Sequence, residues 1–207
     1  YGQEKKHNNI VVFDITGSMI GKPYNSNNKN IWQPSLKLLE KQLNSFPKEE
    51  RITLYLFGEN LIRVGSYSTN EGTKITSKII DKVDSIKINN LTQNHTCIYK
   101  SLNSIIDRLD KKYTNTIYLF TDCKNSDGHK ACGSITPQEL ASNWENKTQK
   151  SEYLYIFKLK DFSLPSELNG ERIEVIDDAL HNLNVVIEPI NTVIRISKNN
   201  LKSSQQF

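Results

Sequence analysis

The stretch Ile10 to Gly21, IVVFDITGSMIG, constrains this chain more than any other. Four successive apolar residues, Ile10 to Phe13, run straight into Asp14, the pattern of a strand covered on both faces, as in a parallel sheet. Gly17 permits the tight turn that follows. Asp14 then stands at the carboxyl end of its strand, where open α/β sheets collect their ligands. With Thr16 and Ser18 it groups one carboxylate and two hydroxyls within five residues. Hard oxygens suit Mg²⁺ or Mn²⁺ better than zinc, which takes nitrogen and sulfur. On their own, the same residues also describe a strand followed by a hydroxyl-capped helix start without an ion.

The remaining chain alternates strands and helices. GKPYNSNNKN reads as an exposed loop. Pro34 then sits in the first turn of a helix with Leu36, Leu39, Leu43 and Phe46 on its apolar side, and Pro47 stops it. Ile52 to Phe57 and Leu61 to Tyr67 are β-rich runs separated only by Gly58-Glu59-Asn60. So short a link holds no crossover helix, which predicts an antiparallel hairpin at a sheet edge. Ile75, Ile79, Ile80, Val83 and Ile86 mark an amphipathic helix. The loop NNLTQNHT delivers Thr96 to the next helix, whose stripe is Ile98, Leu102, Ile105, Ile106 and Leu109.

Thr116 to Thr121, TIYLFT, repeats the buried-strand pattern, and it too ends in an aspartate, Asp122. The long loop CKNSDGHKACGSI shapes one rim of any site there. Thr136-Pro137-Gln138-Glu139 is a capping box with proline at the first helical position, and Leu140 and Trp144 carry that helix's apolar side. Tyr153 to Leu159 and Ile173 to Ile176 read as further core strands, the second reached through a polar turn from Pro165 to Gly170. Val185 to Ile187 and Val193 to Ile196 read as two short strands before a frayed tail or linker. The division is a main domain over 8–180 and a C-terminal extension over 181–207, a linker or the start of a further domain.

A length of 207 residues fits one α/β domain with a good core. The net charge of +4 comes from 27 basic and 23 acidic residues spread along the chain, which argues against nucleic-acid binding. No apolar run approaches the roughly 20 residues that span a bilayer. The opening YGQEKKHNNI has no signal-peptide core and begins with tyrosine, which leaves the compartment open. Among three cysteines, Cys123 and Cys132 are spaced to close a short loop, a bridge that favours an oxidising compartment; reduced thiols are the alternative. A zinc site from Cys123, His129 and Cys132 lacks close-spaced ligand pairs.

A doubly wound, mostly parallel sheet gathers its strand-end loops along one edge, so Asp14, Thr16, Ser18, Thr96 and Asp122 are expected to converge. At these positions the sequence resembles the von Willebrand factor type A domain, whose metal-ion-dependent adhesion site uses Asp-x-Ser/Thr-x-Ser, a distant Thr and a later Asp. DITGSM carries the first element at Asp14, Thr16 and Ser18, HTCIYKSL the second at Thr96, and IYLFTD the third at Asp122. The resemblance runs from about Asn8 to Asp178. It implies a six-stranded sheet with one antiparallel edge strand and helices on both faces. It also implies Thr16 and Ser18 as direct ligands of a divalent cation, Mg²⁺ first, with Mn²⁺ or Ca²⁺ as alternatives. Thr96 would ligate in the ligand-competent state, and Asp14 and Asp122 directly or through water. Two positions depart from the family: Cys123 stands where glycine often follows the last Asp, and the tail does not read as the family's last helix. Cys97 and Cys123, each beside a proposed ligand, form a second candidate disulfide pair.

The function expected is a non-enzymatic, extracytoplasmic recognition module of the cell-adhesion type, whose cation binds a carboxylate of a protein partner. When most direct ligands are neutral hydroxyls, the ion keeps positive charge for such a group. No nucleophile lies beside a plausible base, and His95 reads as a loop residue rather than a general base. The rivals are a metal-dependent phosphoryl hydrolase, which commonly has an acid two residues after its Asp where Thr16 stands, and a scaffold of this fold without a working ion site. Intracellular family members act beside ATP-driven partners, and reduced thiols would point that way.

Overall fold

In strand β1 (His7–Asp14) Val11 and Phe13 face one hydrophobic layer while Ile10 and Val12 face the other, as a centrally buried parallel strand requires. A computed structural model describes residues 5–22, 29–126, 128–181 and 187. After β1 the chain runs through α1 (Trp32–Asn44), β2 (Arg51–Phe57), β3 (Leu61–Ser68), α2 (Thr73–Ile88), α3 (Ile98–Ile106), β4 (Thr114–Thr121), α4 (Pro137–Lys147), β5 (Tyr153–Lys158) and β6 (Ile173–Ile176).

The strands form one six-stranded sheet in the order β3-β2-β1-β4-β5-β6. Every neighbouring pair is parallel except β2 with β3, the hairpin whose three-residue link allowed nothing else. One layer packs α1 and α2 through Trp32, Leu36, Leu39, Ile75, Ile79 and Val83 against Phe13, Tyr118 and Phe120. The opposite layer packs α3 and α4 through Ile98, Leu102, Ile105, Leu140 and Trp144 against Ile117, Leu119 and Ile156. Each such fully buried aliphatic or aromatic side chain is worth roughly 1.5–3 kcal/mol.

Local signals in the sequence account for the helix limits. Helix α1 begins at Trp32, so Pro34 lies in its first turn, where an N–H has no partner in any case. Helix α4 starts on the expected capping box: Thr136 Oγ1 accepts from Glu139 N at 3.2 Å and Glu139 Oε2 accepts from Thr136 N at 2.7 Å. Phe46 and Leu109, expected in helical stripes, lie just past the ends of α1 and α3 but are buried. Among the described residues no helix is long and apolar enough to cross a membrane.

Strand β1 has β2 on one side and β4 on the other, with β2 following through α1 and β4 arriving from the far helix layer. That is a topological switch point, and the crevice it opens lies past the carboxyl ends of β1 and β4. Phe13 pairs with Phe120, which brings Asp14 level with Thr121. Beyond residue 181 the structure describes Ile187, whose N–H and C=O are both bonded by the buried side chain of Gln42, at 3.0 and 2.7 Å. The remainder of Val185 to Ile187, and all of Val193 to Ile196, lie outside the described residues.

Candidate metal centre

Asp14 ends β1, and its Oδ1 accepts from both the backbone N and the Oγ1 of Thr16, at 2.9 and 2.6 Å. A carboxylate that bonds the amide two residues on folds the chain sharply, so the turn that carries the hydroxyls is built by the acid itself. Ser18 Oγ lies 3.0 Å from Thr16 Oγ1 within a short 3-10 turn over Gly17–Ile20.

A second segment is fastened to this turn by backbone. Gly17 N donates to Gln93 O at 2.8 Å and Gln93 N to Ile15 O at 3.0 Å, and three residues later Thr96 Oγ1 donates to Thr16 Oγ1 at 3.2 Å. Gln93 also lies against Gly58, where a Cβ would come within 2.7 Å of the Gln93 Cβ, so the close approach requires glycine. The third segment follows β4. Thr121 Oγ1 donates to Asp14 Oδ2 at 2.7 Å, and Ser126 N donates to Thr96 O at 2.9 Å.

Asp14, Thr16, Ser18 and Thr96 are thus joined in one chain of hydrogen bonds. Asp122 makes no hydrogen bond to that chain; its Oδ1 accepts from Lys124 N at 3.1 Å. Its Oδ2 is buried and accepts no hydrogen bond, with the Lys160 ammonium 3.6 Å away. Asp14 and Asp122 are both fully buried. Burial, and after it the charge of Asp122, raises the Asp14 carboxyl to about 7, against the pull of the hydrogen bonds from Thr16 and Thr121. Two buried carboxylates, one with an unsatisfied oxygen, beside three hydroxyl oxygens are a donor set that fits a hard divalent cation. A cleft of about 340 Å³ opens beside Ser18 and Thr96, with Lys22, Lys124, Asn94 and Ser126 also in its wall.

The cysteines differ from expectation. Cys97, just before α3, is bonded to Cys132 with their Cα atoms 4.8 Å apart, and Cys123 is the free thiol. Cys123 takes a left-handed backbone, φ 60°, and is buried within the layer under α3 and α4. Neither the Cys123–Cys132 nor the Cys97–Cys123 pairing forms, because Cys123 is turned into the core while Cys132 abuts the start of α3. The zinc set of Cys123, His129 and Cys132 is excluded with them, since Cys132 is spent in the disulfide. Among the described residues no three His, Cys, Asp or Glu side chains cluster for a metal. His95 stacks on His129 with ring centroids 3.5 Å apart, a loop-to-loop contact at the rim.

Thr121, Gln93 and Lys160 also belong to the arrangement, and of the three only Thr121 carries a local sequence signal. Thr121 reads as a strand residue, although a hydroxyl directly before a strand-end acid is a usable hint. Lys160 reaches the first loop from the far side of β4, a proximity set by the sheet order alone.

No family model matches the sequence, and no curated protein matches it. Solved structures do match in fold. An aerotolerance-related membrane protein from Bacteroides fragilis, carrying multiple mutations to serine, is 13% identical with a TM-score of 0.57, over 90% of this chain and 99% of that one. A von Willebrand factor type A structure from Catenulispora acidiphila is 13% identical with a TM-score of 0.54, over 85% of this chain and 40% of that one, so this chain spans less than half of it. The manganese-loaded Plasmodium vivax TRAP protein is 16% identical with a TM-score of 0.52, over 84% and 69%. At such identities the likeness is one of fold.

Proposed function

We propose that this chain, a domain of von Willebrand factor type A fold, is a non-enzymatic recognition module whose divalent cation takes up a carboxylate of a partner protein. Asp14, Thr16, Ser18, Thr96 and Asp122 would hold the ion, Mg²⁺ first and Mn²⁺ or Ca²⁺ as alternatives. The ion would supply a positive centre with a coordination position left for an outside oxygen. The observation that carries this reading is the hydroxyl chain from Thr96 through Thr16 to Asp14, with Ser18 beside it, bordering a lysine-flanked cleft.

The residues themselves divide the work. Asp14 shapes the loop, Thr121 and Thr16 orient its two oxygens, and Lys22 and Lys124 make the cleft favourable for an acidic group. The Cys97–Cys132 bond supports an extracytoplasmic setting, since disulfides persist in oxidising compartments.

Calorimetric titration of Mg²⁺, Mn²⁺ and Ca²⁺ into wild type and Asp122→Ala tests the ion. Saturable binding lost in the variant supports the reading; identical traces mean that the fold is kept without a working site. Turnover of phosphate esters with Mg²⁺, abolished by Asp14→Asn, would instead establish the hydrolase.

A further inference from the structure

Beside the two buried aspartates stands a charge that the proposed ligand set does not include. Leu159 N donates to Thr121 O at 2.9 Å, which carries the chain past the end of β5 alongside Asp122. The next residue, Lys160, turns its ammonium inward: Nζ donates to the backbone O of Ser18 at 2.7 Å and lies 3.6 Å from Asp122 Oδ2. Its side chain is 14% exposed and that of Asp122 is 0% exposed, so solvent screens the pair little. Asp122 Oδ2 is the same oxygen that accepts no hydrogen bond. One ammonium therefore spans the first and last loops of the centre.

We propose that Lys160 is a built-in cation of this centre, tying the Ser18 loop to Asp122 and setting how tightly a divalent ion is held there. The inference rests on the ion-binding reading above and deepens it. An ion approaching Asp122 meets a fixed positive charge a few ångströms away, and in a buried site that repulsion is strong. Where no ion is bound, the same charge offsets part of the repulsion between Asp14 and Asp122 and holds the two loops in place. The centre is thereby assembled in advance at the cost of ion affinity, and an incoming carboxylate gains a second cation near the first.

Lys160→Met removes the charge and keeps an unbranched chain; Lys160→Arg keeps the charge and serves as the rescue. In chelator at pH 7.5, the Met variant is expected to melt below wild type and the Arg variant close to it. In calorimetric titration with Mn²⁺, the Met variant is expected to bind at least about tenfold more tightly than wild type, the direction that removing a nearby positive charge dictates. Equal melting in chelator overturns the tie. Equal or weaker Mn²⁺ affinity in the Met variant, or no binding by either protein, overturns the control of the ion. Only the last of these also overturns the ion-binding reading itself.

Discussion

Thr121 Oγ1 donates to Asp14 Oδ2 at 2.7 Å, joining the ends of β4 and β1 at the sheet's switch point. The same Oγ1 accepts from Cys123 N at 3.1 Å, so one hydroxyl orders both the acid and the turn that follows Asp122. Thr121→Val keeps the shape and removes both bonds, leaving a fully buried carboxylate oxygen without its donor. The expected loss is about 2 kcal/mol, the scale for an unsatisfied buried polar group. Urea unfolding in chelator measures it, and a loss well under 0.5 kcal/mol would show that the bond is dispensable.

Burial first, and the Asp122 charge second, hold Asp14 at about 7 in the fold against an ordinary 3.8. A group raised in this way keeps its proton more firmly folded than unfolded. Its contribution favours the fold fully below about pH 4 and is lost as pH rises towards 7. In chelator, wild type is therefore expected to lose stability relative to Asp14→Asn between pH 4 and pH 7.5, as measured by denaturant unfolding. Adding Mg²⁺ should remove most of that difference above pH 7, because an ion offsets the same charge. Parallel pH profiles for the two proteins in chelator would contradict the assignment.

The Cys97–Cys132 bond closes a loop of 35 residues, for which chain entropy gives roughly 4 kcal/mol. Reduction should lower stability by a comparable amount and loosen the segment after Thr96. Cys123 is buried, and burial followed by the Asp122 charge raises its thiol well above the ordinary range. A thiol reagent should thus label nothing in the native protein and one cysteine after denaturation, and peptide mapping should find residues 97 and 132 linked. A Cys123-containing bridge would overturn this assignment.

Much of this is legible in the sequence because it depends on neighbours in the chain. The three-residue link at Gly58-Glu59-Asn60 forces the β2–β3 hairpin, and Thr136 with Glu139 writes its own cap. The convergence of Asp14, Thr16, Ser18 and Thr96 follows from alternating elements that place their loops along one sheet edge. Properties fixed by tertiary contact were not legible. The sequence leaves the pairing of Cys97, Cys123 and Cys132 open, and neither pair it suggests forms, because the choice lies in which side chain faces the core. Lys160 carries no sequence signal, because nothing local links residue 160 to residue 18; the order of β1, β4 and β5 does that.

Whether a cation sits among these oxygens is decided by anomalous scattering from crystals of the protein soaked in Mn²⁺. A peak is expected within the oxygens of Asp14, Thr16, Ser18, Thr96 and Asp122, open towards the cleft lined by Lys22 and Lys124. Peaks only elsewhere, or no peak at all, would overturn the ion-binding reading.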